Sequence, residues 1–155
     1  MSRAFVKEDE TGNPDDLADL AVSPHPNYTT QAGLDQLRVR LATLQRSETA
    51  DAQLVQRQLR WLQARIAAAI PVSNDGRDPA RVAFGATVKV RELASGAVRS
   101  YRIVGEDEAD PESGSVSWVS PLARALVGAE IGDVAIWRRP AGDLEVEVLA
   151  IEYSD

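Results

Sequence analysis

Apolar positions recur along residues 30–70 with the spacing of a helix. Leu34, Leu37, Leu41 and Leu44 are separated by three, four and three residues, which places them on one stripe of an α-helix. Val55, Leu59, Leu62, Ile66 and Ala69 form a second stripe, spaced four, three, four and three. Continuing the first register would carry Glu48 and Asp51 onto the stripe, where burial is costly, so the seam breaks at residues 45–51. Thr29 or Thr30 supplies the N-cap, because a hydroxyl there can accept from a free amide of the first turn. The segment holds no proline and one glycine, Gly33. The pattern predicts an antiparallel hairpin with arms of about 17 residues, each about 25 Å long. It reads either as part of a bundle packed on the rest of the chain or as a protruding two-helix coiled coil. A lone pair of short helices buries little apolar area and needs its base docked. Ile70-Pro71 closes the second helix, since proline disfavours helical geometry in the residue before it. Residues 71–80 then read as a linker.

From residue 81 the period changes to two. Ala86 to Leu93 alternates, Ala94-Ser95-Gly96 is a turn, and Ala97 to Val104 returns, which predicts a hairpin. Gly105 to Pro111 is an acidic loop, and Ser115 to Val119 is a further strand. Ser120-Pro121-Leu122-Ala123-Arg124-Ala125-Leu126-Val127-Gly128 reads as one short helix, with Ser120 as N-cap, Pro121 at the first helical position and Gly128 beyond the end. Val134 to Arg138 and Leu144 to Tyr153 flank a second turn at Pro140–Asp143. The expectation is an α+β chain: a helical hairpin, then a sheet of about five strands covered by one helix. Residues 1–28 show no apolar period and read as a flexible or loosely docked acidic tail.

Composition narrows the chemistry. The 155 residues include no cysteine and one histidine, His25, set between two prolines. Disulfides, thiolate metal sites and multi-histidine sites are excluded, as are most routes to a Ser-His-Asp triad. No apolar run is long enough to span a bilayer, and the N-terminus lacks a signal-peptide pattern. A cytoplasmic location without a membrane partner is expected. The net charge of −7 is uneven: residues 1–28 carry −4, residues 29–70 carry +3, and residues 81–155 carry −5. A mostly acidic surface does not suit a protein that wraps DNA, but it suits docking on a basic or mixed protein surface.

The blocks Val82-Ala83-Phe84-Gly85-Ala86-Thr87-Val88, Tyr101 to Asp110, Ser120 to Gly128, and Gly132-Asp133-Val134 occur in that order. This series resembles the C-terminal domain of the bacterial Gre transcription elongation factors (GreA and GreB) over residues 81–153. The preceding hairpin is similar to the family's N-terminal antiparallel coiled coil. The resemblance implies an FKBP-like C-terminal fold without required prolyl isomerase activity. It implies RNA polymerase as the partner, bound at the rim of the secondary channel. Contact with nucleic acid would be indirect, within the elongation complex. In the family the coiled coil enters the channel, and two tip acids help hold the polymerase's magnesium while the polymerase cuts backtracked RNA. Here the arms are about half as long, and the tip reads Glu48-Thr49-Ala50-Asp51. The family pattern is aspartate, then glutamate three residues later, then Asn-Ala. The order is reversed here, the asparagine is absent, and Gln45 stands three before Glu48. Magnesium takes ligands at about 2.0–2.1 Å, so an arm roughly 20 Å short, by the rise per residue, does not serve it. The short arms resemble Rnk, a Gre-related protein that binds polymerase without the cleavage role.

These observations predict a monomeric polymerase-binding regulator with no cofactor, no resident metal and no active site of its own. Ser120, Pro121, Asp107, Glu108 and Asp110 are the candidate polymerase contacts. Glu48 and Asp51 are the candidate tip residues, read alternatively as solvated turn acids that favour the start of the second helix. Glu106 to Asp110 read as an exposed loop unless the family role applies. Arg124 reads as a surface or loop-stabilising residue. Arg38, Arg40, Arg46, Arg57, Arg60 and Arg65 make the hairpin basic, either as a solvated face or as an attractant for the acidic channel or RNA. Trp118 and Trp137 are core candidates, and Trp61 either packs the hairpin base or meets a partner. Two alternatives stand beside this reading: cleavage stimulation through the tip carboxylates, and prolyl isomerisation, for which an aromatic content of 5% leaves little lining.

Overall fold

A computed structural model describes residues 18–48 and 51–154. The arm comes first. Helix α1 (Gln31–Gln45) starts at Thr30, whose Oγ1 accepts from the Gly33 amide at 3.0 Å. Helix α2 (Ala52–Ala67) starts at Asp51, whose Oδ1 accepts from the Leu54 amide at 3.1 Å. The helices pack against each other. Leu34, Leu37 and Leu62 are buried, while Leu41, Leu44, Val55, Leu59 and Ile66 are partly covered. The two apolar stripes therefore meet, and burial is deepest at the base of the arm. The arms have 15 and 16 residues, close to the 17 expected.

Two three-residue strands clamp that base. Strand β1 (Asn27–Thr29) pairs in parallel with β2 (Ala69–Pro71), in the register Asn27↔Ala69, Tyr28↔Ile70, Thr29↔Pro71. The boundary drawn at residue 28 thus cuts a strand, and the linker drawn from residue 71 begins inside one. The physical reason lies in Ile70-Pro71. Proline holds the residue before it extended, and α2 already ends at Ala67 with its cap at Ala68. The extended stretch then pairs instead of wandering, and the Val72 amide donates to the Thr29 carbonyl at 2.9 Å.

The remainder is a five-stranded sheet in the order β5-β4-β3-β7-β6. Its strands are β3 (Ala86–Glu92), β4 (Val98–Val104), β5 (Ser115–Ser117), β6 (Val134–Trp137) and β7 (Leu144–Tyr153). Ala86, Val88 and Val90 of β3 face the core while Lys89 and Arg91 face out, the alternation of a half-buried strand. On β7 the buried residues are Val146, Val148 and Ile151. The spacing of three is accommodated by a register shift: Lys89 pairs with Ala150 and Val90 with Val148, which leaves Leu149 as an extra residue. Helix α3 (Pro121–Leu126) lays Leu122, Ala123 and Leu126 on this core. Its Ser120 cap, its proline start and a left-handed Gly128 at φ 89° follow the sequence expectation. Tyr101, Trp118 and Trp137 pack around the margin. No helix among the described residues is long and apolar enough to cross a membrane.

Candidate functional site

The acidic loop after β4 is not the exposed loop that its composition alone suggests. Glu106–Glu108 forms a 3₁₀ turn against β1, and its three carboxylates point into the base of the arm. Arg65, in the last turn of α2, is only 2% exposed. Its Nε donates to Asp107 Oδ2 at 2.7 Å, its Nη2 donates to Asn27 Oδ1 at 2.7 Å, and Glu106 stands 3.8 Å away. Asn27 closes the circuit by donating its Nδ2 to the Arg65 carbonyl at 2.7 Å. A guanidinium taken out of water needs opposite charge and filled hydrogen-bond positions, and this seat supplies both. Arg65 is therefore a structural pivot and leaves the set of six arginines read as a solvated face.

Glu108 performs the matching task for α1. It accepts from the Thr30 amide at 3.0 Å, from the Thr30 hydroxyl, and from the Gly105 amide at 3.0 Å. The same hydroxyl accepts from Gly33, so one threonine links the helix start to the sheet domain. Two glycines permit this approach. A Cβ at Gly33 would lie 2.1 Å from Glu108 Cδ, and one at Gly105 would lie 2.4 Å from the Tyr28 carbonyl oxygen. Gly33, the one glycine of residues 30–70, lets the Glu108 side chain approach the start of α1 where any Cβ would collide with it.

Beside this seat lies an apolar cleft of about 310 Å³, lined by Tyr28, Val72, Arg77, Phe84, Trp118 and Val127. Tyr28 and Trp118 meet edge to face with ring centroids 5.0 Å apart, and His25 adds a second edge contact to Trp118 at 5.9 Å. Among the described residues, the buried Trp118 Nε1 has no hydrogen-bond partner. Val127 is half exposed. The cleft gathers Tyr28, Phe84 and Trp118 from three separate stretches of a chain that is only 5% aromatic. Overall composition could not reveal this concentration.

The candidate residues thus divide among three places. Asp107 and Glu108 are engaged inside the seat. Pro121 and Arg124 are exposed, and Ser120 is half-buried, its hydroxyl accepting from the Ala123 amide at 3.2 Å. Asp110 is exposed, its backbone paired with Ser115. Glu48 and Asp51 are exposed at the far end of the arm; Thr49 and Ala50 between them lie outside the described residues, as do residues 1–17 of the acidic tail. Along the arm, Trp61 is half-buried, donates its Nε1 to the Ala21 carbonyl at 3.2 Å, and lies under Arg40 and Arg65. Packing is thus the role the geometry gives it. Among the described residues no group of three or more histidine, aspartate or glutamate side chains converges as metal ligands would.

Comparison with known proteins places the likeness in the sheet domain. Residues 77–153 match the model of the C-terminal domain of the GreA/GreB transcription elongation factors. The GreA of Methylococcus capsulatus is 49% identical over 73 residues, which cover 47% of this chain and 46% of that protein. The GreA of Ralstonia nicotianae is 45% identical over 93 residues, 59% of each. The chain therefore spans about half the length of the curated relatives it matches. A solved GreA/GreB factor from Nitrosomonas europaea superposes over 82% of this chain and 99% of its own, with a TM-score of 0.45 and 23% identity. The sheet domain, residues 77–153, is thus a domain of the GreA/GreB C-terminal type.

Proposed function

We propose that this chain is a cytoplasmic regulator of transcription elongation that docks on RNA polymerase at the rim of the secondary channel and does not stimulate transcript cleavage. It has no active site of its own. The sheet domain is the anchor, with Ser120, Pro121, Asp110 and the aromatic cleft beside them as the docking face. Asp107 and Glu108 act behind that face by fixing the angle of the arm. The arm points into the channel and excludes other factors. The observation that carries this reading is its length: 15 and 16 residues amount to about 22–24 Å at 1.5 Å per residue. The Asp51 carboxylate also caps α2 through the Leu54 amide.

The experiment is addition of the protein to a backtracked elongation complex carrying a full-length cleavage factor. The expected outcome is displacement of that factor with the RNA left at its original length. A second reading, cleavage stimulation, draws on the exposure of Glu48 and Asp51 at the arm's end. RNA shortening that disappears in E48A and D51A would favour it and overturn the first. The aromatic cleft also makes a peptide isomerisation assay worth running. Turnover there would assign the cleft to prolyl isomerisation instead of docking.

A further inference from the structure

Strand β6 closes one side of the sheet, and no strand lies beyond it among the described residues. Which of its polar groups are free follows from the ladder. The Val148 amide donates to the Asp133 carbonyl at 2.9 Å, and the Leu93 amide donates to the Glu145 carbonyl at 3.0 Å. Alternate residues of an antiparallel pair bond toward the same side. On β7, Glu145 and Glu147 therefore bond toward β3, and Leu144 and Val146 toward β6. Their partners on β6, Trp137 and Ala135, bond inward. The amides and carbonyls of Val134 and Ile136 are left along the open edge.

The same two residues carry apolar side chains on the outer face, 51% and 46% exposed. Leu93 and Leu144 line a shallow hollow beside Ile136. Edge strands are ordinarily guarded by a charge or a proline within the strand, and Val134-Ala135-Ile136-Trp137 has neither. Its charges stand at the ends instead: Glu130 and Asp133 before it, Arg138 and Arg139 after it. An antiparallel copy of the strand brings acidic end against basic end, whereas a parallel copy sets like charges together. We infer that β6 pairs antiparallel with β6 of a second copy, about a two-fold axis at Ala135, so that the two sheets become one. In that register Val134 of each copy faces Ile136 of the other. Both pairs exchange backbone hydrogen bonds, and their side chains form one apolar cluster. Asp133 falls opposite Trp137 of the second copy, with that copy's Arg139 two residues further along the same face, within reach of a long side chain. Neither charge is matched by an opposite one among the described residues. Asp133 accepts from the Glu130 amide, and Arg139 donates to the Gly142 carbonyl over the Trp137 ring. The contact uses the same patch on both copies and therefore closes at two. Strand β6 has four residues, so the contact is small and of the weak, reversible class. It rests on the sheet alone and stands whether or not polymerase is the partner.

Sedimentation velocity on the full chain tests this. The weight-average mass should rise toward twice the monomer value as the concentration goes from micromolar to millimolar. I136K puts a lysine on the edge, the guard that edge strands commonly carry, at a half-exposed position where the fold tolerates it. Association should be lost in I136K while its thermal midpoint stays at the native value. Hydrogen exchange on the native chain gives a reading that needs no substitution: the Val134 and Ile136 amides should slow as concentration rises, and those of Ala135 and Trp137 should not. A native chain that stays monomeric throughout would overturn the proposal. So would a dimer that I136K leaves intact, or one in which the Val134 and Ile136 amides exchange as in the monomer. Slowing of those two amides only when polymerase is added would overturn it as well, by assigning the edge to a strand of another protein.

Discussion

Arg65 has more structural consequence than any other polar side chain described, because its charge is buried and its partners come from both sides of the arm–sheet junction. Removing one member of such a set leaves the remaining charges without compensation, at a cost of about 3–5 kcal/mol. R65A should therefore unfold at a clearly lower denaturant midpoint than the native chain. R65K should recover only part of the loss, since an ammonium cannot fork between Asp107 and Asn27 as a guanidinium does. Chemical unfolding of the three proteins checks this, and an R65A midpoint equal to the native one would remove Arg65 from its role. Gly33 offers a finer test. G33A drives a methyl group into Glu108, an overpacking that costs about 1–3 kcal/mol. In an E108A background the same substitution should cost much less, so a double-mutant cycle should show coupling between the two positions. Additive effects would mean that the arm does not rest on Glu108.

The elements differ in how plainly their residues announce them. Both helices were legible because Leu34, Leu37, Leu41 and Leu44, and then Val55 to Ile66, repeat at helical spacing for about three turns each. Helix α3 was legible from its ends, through Ser120, Pro121 and Gly128. Strands β1 and β2 were not, because three residues cannot display a period and their pairing joins segments some 40 positions apart. The same distance hid the seat. Arg65 is one of six arginines on the arm, and nothing local separates it from Arg60; only its place in the last turn beside Leu62 and Ile66 hints at burial. The carboxylates of Glu106, Asp107 and Glu108 had the composition of a solvated loop, and their role appears only once α2 is brought over them. Caps, by contrast, are local and can be tested locally. D51A removes the acceptor for the Leu54 amide and should cost about 1 kcal/mol. The loss should appear in hydrogen exchange as faster opening of the first turns of α2, with the sheet amides unchanged. Equal acceleration across the sheet would show that arm and sheet open as one unit.

For the molecule as a whole, the decisive quantity is reach. The seat fixes the direction of the arm and the helix lengths fix where its tip stops, so activity at a distant metal becomes a question of ångströms. That makes the proposed absence of cleavage reversible by design. Inserting two heptads into each helix, between the seams' existing leucines, keeps the a/d register and adds about 21 Å to the arm at 1.5 Å per residue. The tip of that longer arm can then be given an aspartate followed three residues later by a glutamate. The lengthened protein should shorten backtracked RNA, whereas the native chain should not. The lengthened arm bearing alanines at its tip should bind and compete without cutting, and the native short arm carrying the new tip should remain inactive. This last protein separates the two explanations most sharply. Cleavage by a short arm with the right carboxylates would mean that tip chemistry, not length, sets the native outcome. Silence from the long arm with those carboxylates would mean that the seat aims it elsewhere.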